Sequence, residues 1–219
     1  HAAGLPSPLY LRGVQFDLAQ AGGSWSWRGQ GSTGAALNLD GMPLPGLPVQ
    51  NAAVALQAVS LLGLPLNAAE AGAVLQQAAL PGRLQQIQLP YDNGLRHLVL
   101  DVAHNPQAAA YVADWLRQRP LAGKRYAVFG ALADKDVDGV LLAMQGVFEC
   151  WHIAPLPSPR SFPLGELQQH LQQAGEQHVA HASIHEALQA CLSQSAVEDE
   201  ILIFGSFFTV AQVLEYLQA

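Results

Sequence analysis

The segment His97 to Leu116, HLVLDVAHNPQAAAYVADWL, sets an apolar run against a carboxylate, an imidazole and a carboxamide. Leu98-Val99-Leu100 stops at Asp101. His104-Asn105-Pro106 follow, and Ala, Tyr, Val, Trp and Leu then recur at helical spacing. In an open α/β sheet the carboxyl end of a strand is where side chains converge on a ligand. Pro106 suits a first helical turn, where its missing N–H has no partner anyway, and Asn105 falls at the N-cap. The unpaired N–H groups of such a turn attract an anion. Asp101 then has the chemistry to hold a metal or a sugar hydroxyl, and His104 to meet an anionic substrate as a donor. A plainer account also fits: Asn105 only caps the helix, and Asp101 is a solvated strand end.

Three further constellations bear on the same chemistry. In VFGALADKDVDGVL (128–141) a buried run ends at Gly130, and Asp134-Lys135-Asp136 precede a helix. Lys135 is one of only two lysines and suits a carboxylate or phosphate, or is a turn lysine between capping aspartates. In ILIFGSFFTVAQVL (201–214) Ser206 opens a helix whose face carries Phe208, Val210 and Val213. Ser206 is a natural N-cap and also a third polar group at a strand end; no G-x-S-x-G surrounds it, so it is not read as a hydrolase nucleophile. Asn51 and the LPGRLQQI segment (80–87) form the fourth. Arg83 follows a Pro-Gly break, where a guanidinium in a cleft clamps phosphate by paired hydrogen bonds, or simply lies on the surface.

The elements that must position these groups are legible in part. LYLRGVQFDL and GSWSWRGQ read as strands around an Ala21-Gly22-Gly23 turn, and LNLDGMPLPGLP as a turn-rich end to regular structure. Helices are predicted over 49–62 and 67–80, the second capped by Asn67. Beyond Gly82 strands alternate with helices: strands 96–101, 125–130, 149–154, 177–181 and 200–204, helices 105–118, 136–147, 164–174, 183–193 and 206–217. Runs such as AVFGAL and ILIFGS look buried on both faces, so the predicted fold class is α/β, a Rossmann-like, mostly parallel sheet with flanking helices. Domains are expected at 1–82 and 83–219. The loop APLPSPRSFP (154–163) falls at the carboxyl end of a strand, where such sheets bind ligands.

Composition narrows the function. The formal charge is −7, from 17 acidic and 10 basic side chains. No cationic stripe appears, so nucleic acid is not an expected partner. Cys150 and Cys191 are far apart and read as buried free thiols in a reducing compartment. No apolar stretch reaches the roughly 18–20 residues of a membrane span, and no signal peptide opens the chain. A cytoplasmic location is expected. The sequence holds no G-x-x-x-x-G-K-[ST] phosphate loop, no G-x-G-x-x-G fingerprint and no H-E-x-x-H. His170, His178, His181 and His185 read as solvated.

Taken in order, LPVQNAAVAL, LPGRLQQI, LDVAHNPQAA, VFGALADKDV and ILIFGSFFTVAQVL resemble the folate branch of the Mur ligase superfamily, the bifunctional folylpolyglutamate synthases/dihydrofolate synthases. RGVQFDL near the start resembles them too. The resemblance implies ATP-dependent joining of glutamate to dihydropteroate or a reduced folate through an acyl phosphate, with ATP and Mg²⁺ as cofactors. It implies that Asn51, Arg83 and Asp101 contact the nucleotide, that His104 and Ser206 bind glutamate, and that Lys135 lies near the incoming amino acid. Asp101, His104 and Lys135 become the catalytic candidates. The resemblance further implies that 1–82 is the tail of an ATP-binding domain, with the phosphate loop and most Mg²⁺ ligands in a part this sequence lacks. The chain alone is therefore expected not to turn over, and the enzyme is expected to be a monomer. A cell-wall ligase of the superfamily, or an α/β domain that kept the fold and lost the chemistry, are the competing readings. The stretch between Arg83 and Asp101 is longer than expected and leaves their relative geometry open.

Overall fold

The computed structural model describes residues 8–92 and 94–218. They fall into two compact units that divide between Ala79 and Leu80.

The first unit is a three-stranded antiparallel sheet, β1 (Asp17–Ala21), β2 (Ser24–Gln30) and β3 (Ala36–Pro43), with helices α1 (Val49–Leu61) and α2 (Ala68–Gln77). Trp25 and Trp27 point the same way from β2, as period two requires, and bury against Leu39, Met42 and the Ala52/Ala53/Leu56 stripe of α1. Asn67 caps α2, its Oδ1 accepting from the Glu70 N–H at 2.8 Å. Two expectations are corrected. LYLRGVQFDL is mostly a turn: the Val14 and Gln15 N–H groups both donate to the Leu11 carbonyl, and β1 starts only at Asp17. LNLDGMPLPGLP begins as strand. Trp25 pairs with Met42 and Trp27 with Leu39, so Asp40 and Gly41 both oppose Ser26. The turn-forming dipeptide makes a β-bulge, and the need to cover two tryptophans keeps the strand going.

The second unit is the doubly covered sheet that the alternation predicts. It contains β4 (Gln85–Tyr91), β5 (Gly94–Leu100), α3 (Pro106–Arg117), β6 (Arg125–Phe129), α4 (Val137–Met144) and β7 (Cys150–Ile153). The chain continues through α5 (Leu164–Gln173), β8 (His178–Ala180), α6 (Ile184–Gln194), β9 (Glu200–Phe204) and α7 (Phe207–Gln218). Strand order is β4-β5-β9-β6-β7-β8, with β5 through β8 all parallel. Val99, Ala127, Phe129 and Leu202 face α3, α4 and α5; Leu98, Leu100, Val128, Ile201 and Ile203 face α6 and α7. No helix among the described residues is long and apolar enough to cross a membrane.

Strand β4 was not anticipated. It pairs antiparallel with β5, from Gln85 opposite Leu100 to Tyr91 opposite Gly94. Its sequence QQIQLPY alternates strictly, and Ile87, Leu89 and Tyr91 pack on the core. Pro90 disguises it, yet a sheet edge tolerates a missing donor. The long stretch before Asp101 is thus a hairpin.

The polar histidine stretch needs a further correction. His181 stacks on His152, a buried residue of β7, with ring centroids 5.2 Å apart. His152 Nδ1 and His181 Nε2 share a hydrogen bond at 3.1 Å. His170 and His178 are also only partly exposed, the former bonded to Asp138, whereas His185 is exposed as expected and meets Tyr216 edge-on. An imidazole counted as polar is also a flat, half-apolar ring, and two neutral ones share one proton well. Burial, then the neighbouring His181, push His152 down to about 4, against the opposing Gln194 amide. Burial also lowers His181. The unfolded chain therefore takes up protons below pH 6.5 that folded His152 refuses until about pH 4. Stability from this pair is complete above 6.5 and falls as pH drops through that window. Urea midpoints at pH 7.5, 6 and 5 are expected to fall more steeply for the native chain than for His152→Leu. Parallel curves would show that the pair does not carry the acid sensitivity.

Candidate functional site

Strands β5, β9, β6 and β7 are adjacent and parallel, so their carboxyl ends form one edge. Asp101, His104, Ser206 and Lys135 all lie in the loops leaving that edge, as the sequence predicts. Asn51 belongs to the first unit, exposed on the first turn of α1.

Asp101 is only 5% exposed, so it is not a solvated strand end. Its Oδ1 accepts from the Ala103 N–H at 2.8 Å and its Oδ2 from the Leu84 N–H at 2.9 Å. The hairpin register explains the second bond: Gln85 opposes Leu100, so the next pair is Leu84 and Asp101. Burial raises the Asp101 pKa; the two amides, Arg83 and His104 oppose that rise. Leu84 adopts φ +44°, a left-handed conformation rare for a leucine. The preceding turn is just as constrained. Gly82 has φ +67°, and a Cβ there would lie 2.9 Å from Val102 Cγ1 and 3.0 Å from Val210 Cγ1. Its carbonyl accepts from the Val102 N–H at 2.8 Å. Only glycine lets the chain pass so close to β5 and α7 and then release Arg83 beside them.

His104 Nδ1 lies 2.8 Å from the Val102 carbonyl oxygen. A carbonyl only accepts, so Nδ1 carries the hydrogen, and Nε2 is left for another partner. Asn105 caps α3, its Oδ1 accepting from the Ala108 N–H at 2.9 Å. Ser206 is 3% exposed, and its Oγ accepts from the Phe208 N–H at 3.1 Å. Its hydroxyl proton remains available. Gly205, at φ +103°, sits where a Cβ would meet the Phe129 ring and the Gly130 carbonyl oxygen. Thr209 Oγ1 donates to that same carbonyl at 2.9 Å, tying α7 to the end of β6. The α7 face differs from expectation: Val210 and Val213 are buried with Thr209, whereas Phe208 is exposed.

Lys135 does not stand free. Its Nζ bonds Asp134 at 2.9 Å, and Arg160 reaches the other oxygen of Asp134 at 2.8 Å. These two cations, Lys135 first, hold the Asp134 carboxyl down to about 2. The 154–163 loop delivers Arg160, anchored by its carbonyl accepting from the Ala133 N–H. Asp136 caps α4 through the Gly139 N–H, and Gly139 packs so closely on Pro106 that a Cβ would lie 2.5 Å from Pro106 Cγ. The first turns of α3 and α4 therefore touch.

Two residues of this edge escaped the sequence reading. Arg160 lay inside a loop already marked as ligand-binding by position. Phe207 carried no signal, because an aromatic at the start of a helix reads as core. It is 61% exposed, with the Arg83 guanidinium 5.8 Å above its ring and the His104 ring 6.4 Å away. Arg83 has no carboxylate within salt-bridge distance among the described residues. Its donors suit phosphate or carboxylate oxygens. No three His, Cys, Asp or Glu side chains among the described residues converge as a metal site.

Replacing Asp101 by Asn keeps the shape and removes an acceptor from one of two buried amides. The variant is expected to lose about 2 kcal/mol of stability in urea, with faster hydrogen exchange at Leu84 and Ala103. Unchanged unfolding and exchange would mean that the carboxylate does not hold this junction.

Comparison with known proteins fits this geometry. Residues 82–207 match the family described as Mur ligase, glutamate ligase domain. The dihydrofolate synthase/folylpolyglutamate synthase of Escherichia coli K12 is 33% identical over 211 residues, 96% of this chain and 47% of that protein. The solved E. coli FolC in complex with DHPP and ADP superposes with a TM-score of 0.79 at 33% identity, over 94% of this chain and 47% of that one. A bifunctional folylpolyglutamate synthase/dihydrofolate synthase with Mn, AMPPNP and L-glutamate bound gives 0.82 at 35% identity, over 100% of this chain and 50% of that one. The chain spans about half the length of these relatives. With a doubly covered parallel sheet whose strand-end loops gather Arg83, Asp101, His104 and Ser206, and a family match across most of that unit, this chain belongs to the Mur ligase family.

Proposed function

We propose that this chain serves the ATP-dependent ligation of L-glutamate to dihydropteroate and to (tetrahydro)folate. The observation that carries the reading is the gathering of Arg83, Asp101, His104 and Ser206 in neighbouring loops of one unit, with Arg83 unpaired by any carboxylate among the described residues. Relatives solved with ADP, with AMPPNP and Mn, and with L-glutamate support it. In this reading residues 1–82 complete an ATP-binding domain and 83–219 form the glutamate ligase domain.

The chemistry assigns each group a task. The acceptor carboxylate takes the γ-phosphoryl group of ATP, giving an acyl phosphate and ADP. The glutamate amine then attacks the carbonyl carbon, an amide forms, and phosphate leaves with loss of a proton. Negative charge builds on the phosphoryl oxygens, which is where preorganised donors count most. Arg83 supplies paired donors to phosphate, and Asn51 and Asp101 contact the nucleotide. His104 Nε2 and the Ser206 hydroxyl hold glutamate. Lys135, tethered by Asp134, contributes its positive field near the incoming amino acid. A divalent cation, Mg²⁺ in this proposal, would offset phosphate charge, with its ligands mainly outside these residues. The enzyme works as a cytoplasmic monomer in this reading.

The test is MgATP-dependent incorporation of labelled glutamate into dihydropteroate and into tetrahydrofolate by the full-length protein. Incorporation is expected, with a drop of at least about a hundredfold in His104→Ala and Asp101→Ala, as for loss of preorganised groups. The 219 residues alone, whose sequence holds no phosphate loop, are expected to give no turnover. A folded full-length protein that binds ATP but modifies neither pterin would point to a cell-wall acceptor or to a domain without catalysis.

A further inference from the structure

We propose that Phe207 is a positioning residue of this site: its ring holds the Arg83 guanidinium in place beside His104, as an oxyanion-binding pair. The inference rests on the ligase reading and deepens it by naming what keeps the arginine available.

Three observations carry it. First, Phe207 is 61% exposed in a neighbourhood of charged and hydrogen-bonding groups, so burial does not explain its side chain. The helix it opens buries Thr209, Val210 and Val213 instead. Second, two donors from separate loops meet this ring: Arg83 lies 5.8 Å over it, and His104 is tilted at 43° with centroids 6.4 Å apart. A guanidinium over an aromatic face is attracted by the ring quadrupole while its in-plane N–H groups stay open to a ligand. Third, a carboxylate lies close at hand. Arg83 follows the Gly82 turn and immediately precedes Leu84, whose N–H bonds Asp101. Nevertheless Arg83 and Asp101 form no salt bridge, and both Asp101 oxygens already accept backbone amides. Asp101 therefore does not fix the Arg83 side chain. Freed from the ring, a long arginine side chain spreads over many rotamers, and Phe207 narrows that spread to the one beside His104.

The ligand class is an oxyanion of the reaction, and it has two possible sources: a phosphate of ATP or a carboxylate of glutamate. Kinetics separate them. In the full-length protein, Phe207→Leu keeps apolar bulk and removes the π face, whereas Phe207→Tyr and Phe207→Trp keep that face. For Phe207→Leu we expect about a fivefold rise in KM for one substrate, MgATP if phosphate is the ligand and glutamate if carboxylate is. The value of kcat is expected to stay within about twofold, and Tyr or Trp to restore the native KM. A merely structural role would lower Tm and the active fraction, hence kcat, and leave both KM values alone. In an Arg83→Ala background, Phe207→Leu should add nothing further, since the two changes disable one device. An active native enzyme whose Phe207→Leu variant is unchanged, or whose two substitutions multiply independently, overturns the inference and leaves the ligase reading intact. A native enzyme with no glutamate incorporation overturns the ligase reading, and this inference with it. Side-chain NMR of the 219-residue chain supplies a check apart from turnover. The Arg83 Nε–H resonance should carry a ring-current shift that Phe207→Leu abolishes, and its absence from the native chain would also overturn the inference.

Discussion

One carboxylate shared between two chain segments organises the carboxyl edge of the sheet. Asp101 takes one amide from Leu84, on the way into the hairpin, and one from Ala103, on the way out of β5. Burying that charge is costly, and the upward push on its pKa records the cost. Two charge-assisted hydrogen bonds, each contributing roughly 1.5–3 kcal/mol, offset it. They also offset the left-handed backbone of Leu84, which costs on the order of 1–2 kcal/mol. Leu84 adopts that conformation because its N–H must meet the carboxylate. Its neighbour Arg83 is thereby left at the edge, with its guanidinium over Phe207.

The hairpin makes this arrangement indifferent to its own length. In an antiparallel pair each residue added to one strand is matched by one added to the other, so growth moves the tip and leaves the base in register. Gln85 opposite Leu100 fixes Leu84 opposite Asp101, whatever happens near Tyr91 and Gly94. A long segment between two site residues is therefore no obstacle to their meeting when it folds back on itself.

Much of the second unit was legible because its signals are local. Buried runs such as ILIF have no room for polar residues, and Asn105 and Asp136 cap the helices expected of them, as Asn67 does in the first unit. Adjacent parallel strands then bring Asp101, His104, Ser206 and Lys135 to one edge by topology alone. What escaped depends on partners distant in sequence. Asp40-Gly41 reads as a turn until β2 demands a partner. Pro90 argues against a strand until β4 proves to be an edge. The ion pair of Arg160 with Asp134, and the stack of His181 on His152, join segments that no window along the chain compares. Phe207 was invisible for the opposite reason. Its residue type predicts burial, and its exposure emerges only once Val210 and Val213 claim the buried face.

The charge of the whole chain is a poor guide to the charge of this edge. A formal −7 without a cationic stripe argues against a polyanion such as nucleic acid. At the edge, however, Asp101, Asp134 and Asp136 are matched in number by Arg83, Lys135 and Arg160, so the side chains there nearly cancel. Their geometry is less even than their count. All three carboxylates are engaged: Asp101 and Asp136 by backbone amides, Asp134 by two cations. The N-terminal ends of α3, α4 and α7 open from the same edge, each adding roughly half a positive charge. Internal hydrogen bonds thus consume the acceptors and leave donors on Arg83, His104 and Ser206 without equal competition. An acidic protein can receive a phosphate or a second carboxylate at such an edge, because hydrogen-bonding capacity is local even where net charge is not.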